Sequence, residues 1–139
     1  MAYGSALVDT IQSSTTGTPP QFNDGSGAQI GTLCRAWVNF NGASGSVAIR
    51  AAFNISSITY NGTGDYTLTF TTALSDANYG ANISTQSNPA NGPDAPTLFF
   101  NRTSNVQQAP TTSSFRVAIM ASANGNAQDR TYVCVSVFR

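Results

Sequence analysis

Histidine, lysine and glutamate are all absent from this chain of 139 residues. The side chains that titrate are therefore aspartate, arginine, tyrosine and cysteine. Histidine is the side chain used most often for proton transfer in enzymes, and it is also the commonest metal ligand in proteins. These absences argue against catalysis and metal binding, so we expect a protein that is not an enzyme and that holds no metal or other cofactor.

Charged residues of either sign are scarce. They make up 9% of the chain, and the formal net charge at pH 7 is zero. Nucleic-acid-binding proteins need a cationic surface for the phosphates, and proteins bound to anionic lipid need a basic face. No apolar run approaches the ~20 residues of a membrane-spanning helix, and residues 1–5 lack the features of a secretion signal. We therefore predict no nucleic-acid partner and no membrane insertion, and a chain that stays in a cytosol unless it leaves within a larger assembly.

The two cysteines, Cys34 and Cys134, do not form a recognisable metal or redox motif. Alternation along the last strand-like segment places Cys134 on the face opposite Val133 and Val135, whereas Cys34 is expected to share a core face with Ala36. A disulfide stays open as an alternative, but side chains that point into different layers are poorly placed to form one.

The residues that are abundant indicate β-structure. Short segments with strand-like alternation are separated by turn residues, and they span 32–40, 46–53, 55–60, 65–71, 79–85, 97–101, 113–122 and 131–138. The turn at 61–64, Asn-Gly-Thr-Gly, supplies residues that accept positive φ. No segment has a helical period. The pattern predicts an all-β protein, an antiparallel β-sandwich that is jelly-roll-like, with Tyr66, Leu68 and Phe70 on an inward face.

Residues 1–28 differ in composition from the rest. Residues 3–11 have moderate β character, and residues 13–20, which are rich in Ser, Thr, Gly and Pro, contain little that can be buried. We predict an extended N-terminal arm over 1–28 and a β-sandwich domain over 29–139. The arm is expected to dock on a neighbouring protomer or on a larger assembly, where strand addition would satisfy its backbone groups.

A long segment, 86–110, interrupts the regular spacing of strands and contains four of the six prolines. It also carries Leu98, Phe99 and Phe100, which a solvated loop does not need. One interpretation is a further short strand on the sheet, and the other is an exposed contact point. Under the second, aromatic faces stack on sugar rings and polar groups bond to hydroxyls. The predicted binding residues are Phe99, Phe100, Arg102, Asn101 and Asp94.

Large side chains lie on both faces of two predicted strands. Trp37 lies opposite the core face of its strand, and Tyr132 and Phe138 lie opposite the valines of the last strand. The outward face of a monomeric sandwich is normally polar, so we expect this second face to be covered. The cover is either another subunit or a strand or arm of the same chain. The predicted subunit-interface residues are Arg35, Trp37, Arg50, Tyr132 and Phe138.

Two aspartates, Asp65 and Asp76, could be considered as a glycosidase pair, which requires two carboxyl groups facing each other across a cleft. Both are next to turn residues, where aspartate commonly bonds to the local backbone. Asp24 lies in a turn-like Asn-Asp-Gly sequence that lacks the glutamate of a calcium loop. We interpret all three as structural.

Three stretches carry a resemblance to a known family. They are residues 33–42 (LCRAWVNFNG), 47–50 (VAIR) and 55–70 (ISSITYNGTGDYTLTF). The chain resembles a β-rich module of tail-fibre-like and related virion proteins of tailed bacteriophages, especially phages of cyanobacteria and marine bacteria. The resemblance covers 19–85 and 113–139, and the segment 86–112 matches nothing in the family.

The resemblance implies a homotrimeric tail-fibre or tail-tip component that is assembled in the host cytoplasm and resides in the virion. Its implied partners are other copies of the chain, other virion proteins, and a host-surface glycan or protein. It implies no particular binding residue, because no recognition motif of the family maps onto this sequence. The alternative is a purely structural virion protein, such as a capsid decoration or tail adaptor protein.

Overall fold

Alternation of apolar and polar residues produces β-strands throughout the described part of the chain. The computed structural model describes residues 8–12, 14, 20–43, 46–86, 94–102 and 104–139. Within these ranges the regular structure consists of twelve strands. The chain divides into two units, Met1–Leu33 and Cys34–Arg139.

The first unit contains one short antiparallel hairpin, formed by β1 (Phe22–Asn23) and β2 (Gln29–Gly31). Asp24 organises the turn, because its Oδ1 accepts hydrogen bonds from Ser26 and from the Ala28 backbone N–H. These bonds, that from the Ser26 side chain first, lower the pKa of the Asp24 carboxyl. The predicted arm boundary at residue 28 falls inside this hairpin. Residues 1–7, 13 and 15–19 of the predicted arm lie outside the described part.

The second unit contains two four-stranded antiparallel sheets. The first sheet has the order β4 (Ala48–Phe53), β3 (Cys34–Asn41), β12 (Val133–Phe138), β7 (Gly80–Thr85). The second has the order β5 (Ile55–Gly62), β6 (Asp65–Phe70), β11 (Ser114–Ala121), β8 (Asp94–Leu98). A further pair joins β9 (Phe100–Asn101) to β10 (Val106–Gln107). The prediction of an all-β, antiparallel sandwich is confirmed.

The jelly-roll-like part of the prediction is a finer statement than the sandwich, and it stays a prediction. β3 and β4 form a hairpin within the first sheet, and β5 and β6 form a hairpin within the second. The connections from β4 to β5, β6 to β7, β7 to β8 and β11 to β12 cross between the two sheets. Hairpins form readily here because short turns join the strands, and a two-strand unit satisfies its backbone bonds locally.

Inward-facing residues of both sheets form one core. The alternation predicted for β6 is confirmed, since Tyr66 and Leu68 are fully buried and Phe70 is 5% exposed. Packing of apolar surface from the two sheets supplies most of the stabilisation of such a sandwich. The other principal core residues are Ala36, Val38, Phe40, Phe115, Val117, Ile119, Val133, Val135 and Val137.

Both cysteines are free thiols. Cys134 is exposed, as expected for a side chain opposite the buried valines. Cys34 is half-buried and is not a core residue, so the prediction that it shares the core face with Ala36 is wrong. The cause is a register shift, in which Val137 pairs with Ala36 but Phe138 pairs with Cys34. Such a bulge breaks the alternation that the prediction assumed.

The segment 86–110 contributes a strand to the second sheet. β8 pairs with β11 from Val117↔Leu98 to Ala121↔Asp94, which confirms the interpretation of a further strand. Residues 87–93 and 103 of this segment lie outside the described part. Directly after β8 the chain turns at Phe99 into the β9–β10 pair, and this turn builds the candidate site.

Candidate functional site

A depression of about 620 Å³ lies over the end of β8 and the β9–β10 pair. We call it the β9 groove. It is lined by Thr97, Leu98, Phe99, Phe100, Gln107, Gln108 and Ala109. None of these lining side chains is charged. Aromatic surface beside amide and hydroxyl groups is suited to uncharged ligands that have both apolar faces and hydrogen-bonding groups.

The backbone of Phe99 is strained. Its φ is 55°, in the left-handed region that is costly for a bulky residue. Two backbone bonds hold it there: the Phe99 N–H donates to the Arg116 carbonyl at 2.8 Å, and the Phe99 carbonyl accepts from the Gln108 N–H at 2.7 Å. The Phe99 ring packs edge-on against Tyr79 and Phe115, with centroids 6.0 and 6.1 Å apart. Strain maintained by tertiary contacts in this way is often found at functional sites.

An ion pair orients one wall of the groove. Nε and Nη2 of Arg116 donate to the two carboxylate oxygens of Asp65 at 2.7 and 2.9 Å. The Asp65 side chain is 1% exposed and that of Arg116 is 12% exposed, so this bidentate pair fixes the guanidinium. Nη1 of Arg116 then lies 3.5 Å from Oε1 of Gln108. The side-chain amide of Gln108 also carries an NH₂ group, which is a hydrogen-bond donor.

The structure brings two of the five predicted binding residues to the groove, Phe99 and Phe100. Asn101 follows on β9, where its Oδ1 accepts a bond from the Ser104 N–H at 3.0 Å. The Nε of Arg102 is buried, and it has no hydrogen-bond partner in the part of the chain that the structure describes. Asn101 and Arg102 are not lining residues, and their role in binding stays a prediction.

Asp94, the fifth of these residues, is held in a buried ion pair. Nε of Arg130 lies 3.0 and 2.8 Å from the two Asp94 carboxylate oxygens, and the Thr85 hydroxyl donates to Oδ2 at 2.7 Å. The Arg130 and Asp94 side chains are 7% and 3% exposed. Burial alone would raise the pKa of Asp94, but the bonds from Arg130 and Thr85 outweigh it and lower that pKa. These contacts give Asp94 a structural role, joining β8 to the segment before β12, and ligand binding by Asp94 stays a prediction.

The lowered pKa of Asp94 predicts acid sensitivity. A carboxyl whose pKa is lower in the folded state adds stability above its unfolded pKa of about 3.9, and that stability is lost as the pH falls through the folded value. Because the chain has no histidine, we expect the free energy of unfolding to be nearly constant between about pH 5 and 8 and to fall below about pH 4.

Urea unfolding followed by circular dichroism at a series of pH values measures this dependence. Asp94→Asn is expected to be less stable at neutral pH and to show a smaller decrease in acid. Asp9→Asn, which removes an exposed carboxyl, is the matched control and should follow the native chain when both are compared at a protein concentration at which they are monomeric. If the native chain and Asp94→Asn lose the same stability in acid, titration of Asp94 is not the cause of the acid sensitivity.

Sequence reasoning missed the polar half of the groove. Gln107 and Gln108 join it because β10 pairs with β9 through Gln107↔Phe100. The available signal was the occurrence of two adjacent glutamines and two adjacent phenylalanines in the same proline-containing segment. Thr97, at the end of β8, carries no comparable signal.

The outward face of the first sheet is the second notable surface, and we call it the outer face. Trp37, Phe53, Tyr132 and Phe138 are 41%, 55%, 50% and 36% exposed. Between Trp37 and β7 lies a shallow depression of about 390 Å³ with polar groups from Asn39, Asn82, Ser84 and Ser136.

Two arginines border the outer face. The guanidinium carbon of Arg50 lies 4.2 Å from the centroid of the Tyr132 ring, and Nη1 donates to Asn39 Oδ1 at 3.2 Å. Arg35 and Phe53 line a neighbouring depression. Each arginine sits at a register shift, Arg50 on β4 and Arg35 on β3. The five predicted interface residues therefore come from one sheet and its edges, and their role as an interface stays a prediction.

The described residues contain no group of three or more cysteines and aspartates placed to hold a metal ion. Nor do they contain a helix with the length and hydropathy needed to cross a membrane. The structure thus defines an antiparallel β-sandwich with an uncharged aromatic groove on one sheet and an exposed aromatic face on the other. No protein-family model, curated protein or solved structure matches this chain.

Proposed function

We propose that the protein is a virion component of a tailed bacteriophage, a tail-fibre or tail-tip module that attaches to the host surface by binding a glycan. The observation that carries this proposal is the β9 groove, in which Phe99 and Phe100 lie beside Gln107 and Gln108. The resemblance of residues 33–42, 47–50 and 55–70 to tail-fibre-like proteins supports the assignment to a virion. The site is non-covalent and needs no cofactor.

The groove suits a neutral sugar better than a charged one. The C–H faces of a sugar ring stack on aromatic carbon, and the amides of Gln107 and Gln108 supply both donors and acceptors for hydroxyl groups. No lining side chain is charged, so nothing in the groove neutralises an acidic sugar. A buried carboxylate, Asp65, positions Gln108 through Arg116 without itself reaching the groove lining.

Attachment through such a small groove requires several copies. Binding by one aromatic site is weak, and linked copies gain affinity because each rebinds at a high effective concentration. The proposal therefore includes a homotrimer with the outer face as the subunit interface. Aromatic residues and arginine, as found at Trp37, Tyr132 and Arg50, are typical of interface centres. The extended arm docks on a neighbouring protomer or on another virion protein.

A second candidate is a purely structural virion protein, either a capsid decoration or a tail adaptor protein. The observation that favours it is the large exposed aromatic area of the outer face, which is suited to a permanent contact. This alternative predicts that the purified protein binds no glycan and no host cell. It also predicts that deletion of residues 2–18 prevents incorporation into the virion.

Substitution in the groove tests the proposed function. Phe100→Ala removes a stacking surface and is expected to weaken glycan binding about 10- to 30-fold, which corresponds to ~1.4–2 kcal/mol. Gln107→Ala is expected to have a similar but smaller effect, because it removes hydrogen bonds to hydroxyl groups. A glycan array identifies the ligand, and titration calorimetry with that oligosaccharide then gives the affinities.

Phe22→Ala is the matched control, since it removes an exposed phenylalanine that does not line the groove. Its affinity should equal that of the native chain. If the native chain binds neither glycans nor host cells, the attachment function is excluded and the structural alternative is favoured.

A further inference from the structure

Charge is divided unequally between the two units. Residues 1–33 contain Asp9 and Asp24 and no basic side chain, whereas residues 34–139 contain all six arginines and the other four aspartates. The first unit is therefore acidic and the second is basic, although the chain as a whole is neutral. This separation favours attraction between an acidic surface of the first unit and a basic surface of the second unit of another copy.

Three of the six arginines, Arg35, Arg50 and Arg102, lie outside the ion pairs of the described residues, and two of them, Arg35 and Arg50, border the outer face. Three arginines form ion pairs, and these pairs are Arg116–Asp65, Arg130–Asp94 and Arg139–Asp76. The carboxylate of Asp129 is occupied by Tyr66, Tyr60 and the Gly64 N–H. Within the described part of the chain, no carboxylate lies within ion-pair distance of Arg35 or Arg50. Both of these arginines lie beside exposed aromatic rings.

The first unit contains a segment with complementary properties. Val8 and Ile11 are 60% and 65% exposed, and they flank the exposed carboxylate of Asp9. Asp24 is less available, because its Oδ1 is bonded within its own turn. Residues 8–12 thus present two branched apolar side chains and one carboxylate, which match the aromatic rings and arginines of the outer face.

We propose that residues 8–12 of one copy of the chain dock on the outer face of a second copy, with Asp9 paired to Arg50 and with Val8 and Ile11 against the exposed aromatic rings. β4, at the end of the first sheet, is the docking strand. All six of its residues are exposed, and among the strands that the structure describes it is hydrogen-bonded to β3 alone. A free edge of this kind can accept an added strand.

The outer face could also be covered by the outer face of a second copy, but this arrangement fits its charges less well. A twofold contact would bring together the faces that carry Arg35 and Arg50, and neither arginine has a carboxylate within ion-pair distance among the described residues. When a segment of one copy binds a sheet of the next without exchange, the contact is heterologous, and it forms a ring such as a trimer where the rotation between copies closes. This inference goes beyond glycan binding and does not depend on the β9 groove.

Trp37 makes the proposal directly measurable, because it is the only tryptophan of the chain and lies on the outer face. The full chain is examined at a series of concentrations by light scattering and by acrylamide quenching of tryptophan fluorescence. We expect a mass above 14.5 kDa at high concentration, together with protection of Trp37. A chain lacking residues 2–12 is expected to stay monomeric, with Trp37 fully quenched.

Charge exchange separates the proposed contact from a general loss of folding. Asp9→Arg and Arg50→Asp are each expected to reduce association at least tenfold, and the double variant Asp9→Arg/Arg50→Asp is expected to restore it. Asp76→Asn removes a carboxylate outside the segment and should associate normally.

Three results would overturn the inference. They are an oligomer that persists without residues 2–12, a monomer in which Trp37 is nevertheless protected, and a native chain that stays monomeric with Trp37 freely quenched. Glycan binding by the monomeric variants, measured separately, shows whether the proposed attachment function survives when this contact fails.

Discussion

Arg130→Met is expected to lower the free energy of unfolding by about 3–5 kcal/mol, a large fraction of the stability of a domain of this size. The substitution leaves the carboxylate of Asp94 buried, with the Thr85 hydroxyl as its remaining side-chain partner among the described residues. An uncompensated buried charge is costly because it has lost its hydration without gaining an ionic partner. Urea unfolding followed by circular dichroism measures the change.

Two further variants define the cause. Asp94→Leu combined with Arg130→Met removes both charges, and it is expected to cost clearly less than Arg130→Met alone, because no charge is left unpaired. Arg139→Met breaks the exposed pair with Asp76, whose side chain is 34% exposed, and should have little effect because water replaces the lost partner. If Arg130→Met and Arg139→Met lower the free energy of unfolding equally, burial does not make the Arg130–Asp94 pair more important for stability than the exposed pair.

Gly64→Ala is expected to be similarly destabilising, by about 3–5 kcal/mol, for two reasons that add. The φ of Gly64 is 66°, which an alanine adopts at a cost. A Cβ at this position would lie 2.4 Å from the Ile119 carbonyl oxygen and 2.8 Å from the Gln128 nitrogen. These are backbone atoms, so they can move only if the strands around them move.

Gly125→Ala is the matched control for this prediction. Its φ is 68°, but a Cβ there would meet nothing within 4 Å. The control therefore carries the backbone cost alone, about 1–2 kcal/mol. The difference between the two variants measures the close approach at Gly64. If Gly64→Ala and Gly125→Ala lose the same free energy of unfolding, the close approach to Ile119 does not exclude a Cβ at position 64.

The close approach at Gly64 belongs to a buried polar network. The Gly64 N–H donates to Asp129 Oδ1 at 2.7 Å, and the Tyr66 hydroxyl lies 2.7 Å from the same oxygen and 2.8 Å from the Gly42 carbonyl. Burial and the neighbouring Asp129 raise the pKa of Tyr66 far above its usual range. The hydroxyl therefore stays protonated, and its one hydrogen serves one acceptor at a time.

Strand positions and inward faces were predictable from the sequence because they depend on local alternation. Successive side chains of a strand point to opposite faces, so Tyr66, Leu68 and Phe70 could be placed inward together. The same rule predicted that Trp37 and Tyr132 face away from the core, and both are exposed. Turn residues such as Gly64 marked where strands end, since few other residues accept positive φ.

Only the tertiary structure decided which strands are neighbours and which side chains meet. Asp94 and Arg130 pair across a separation that no local pattern encodes, and Gln107 reaches the groove through the pairing of β10 with β9. The bulges at Arg35 and Arg50 shift the pairing register of β3 with β12 and of β3 with β4, and no sequence pattern marked them. The sequence by itself determined the class of fold and the composition of its faces, because these follow from the two-residue period of a strand. The groove and the buried ion pairs arise from contacts between distant segments, and these depend on how the whole chain packs.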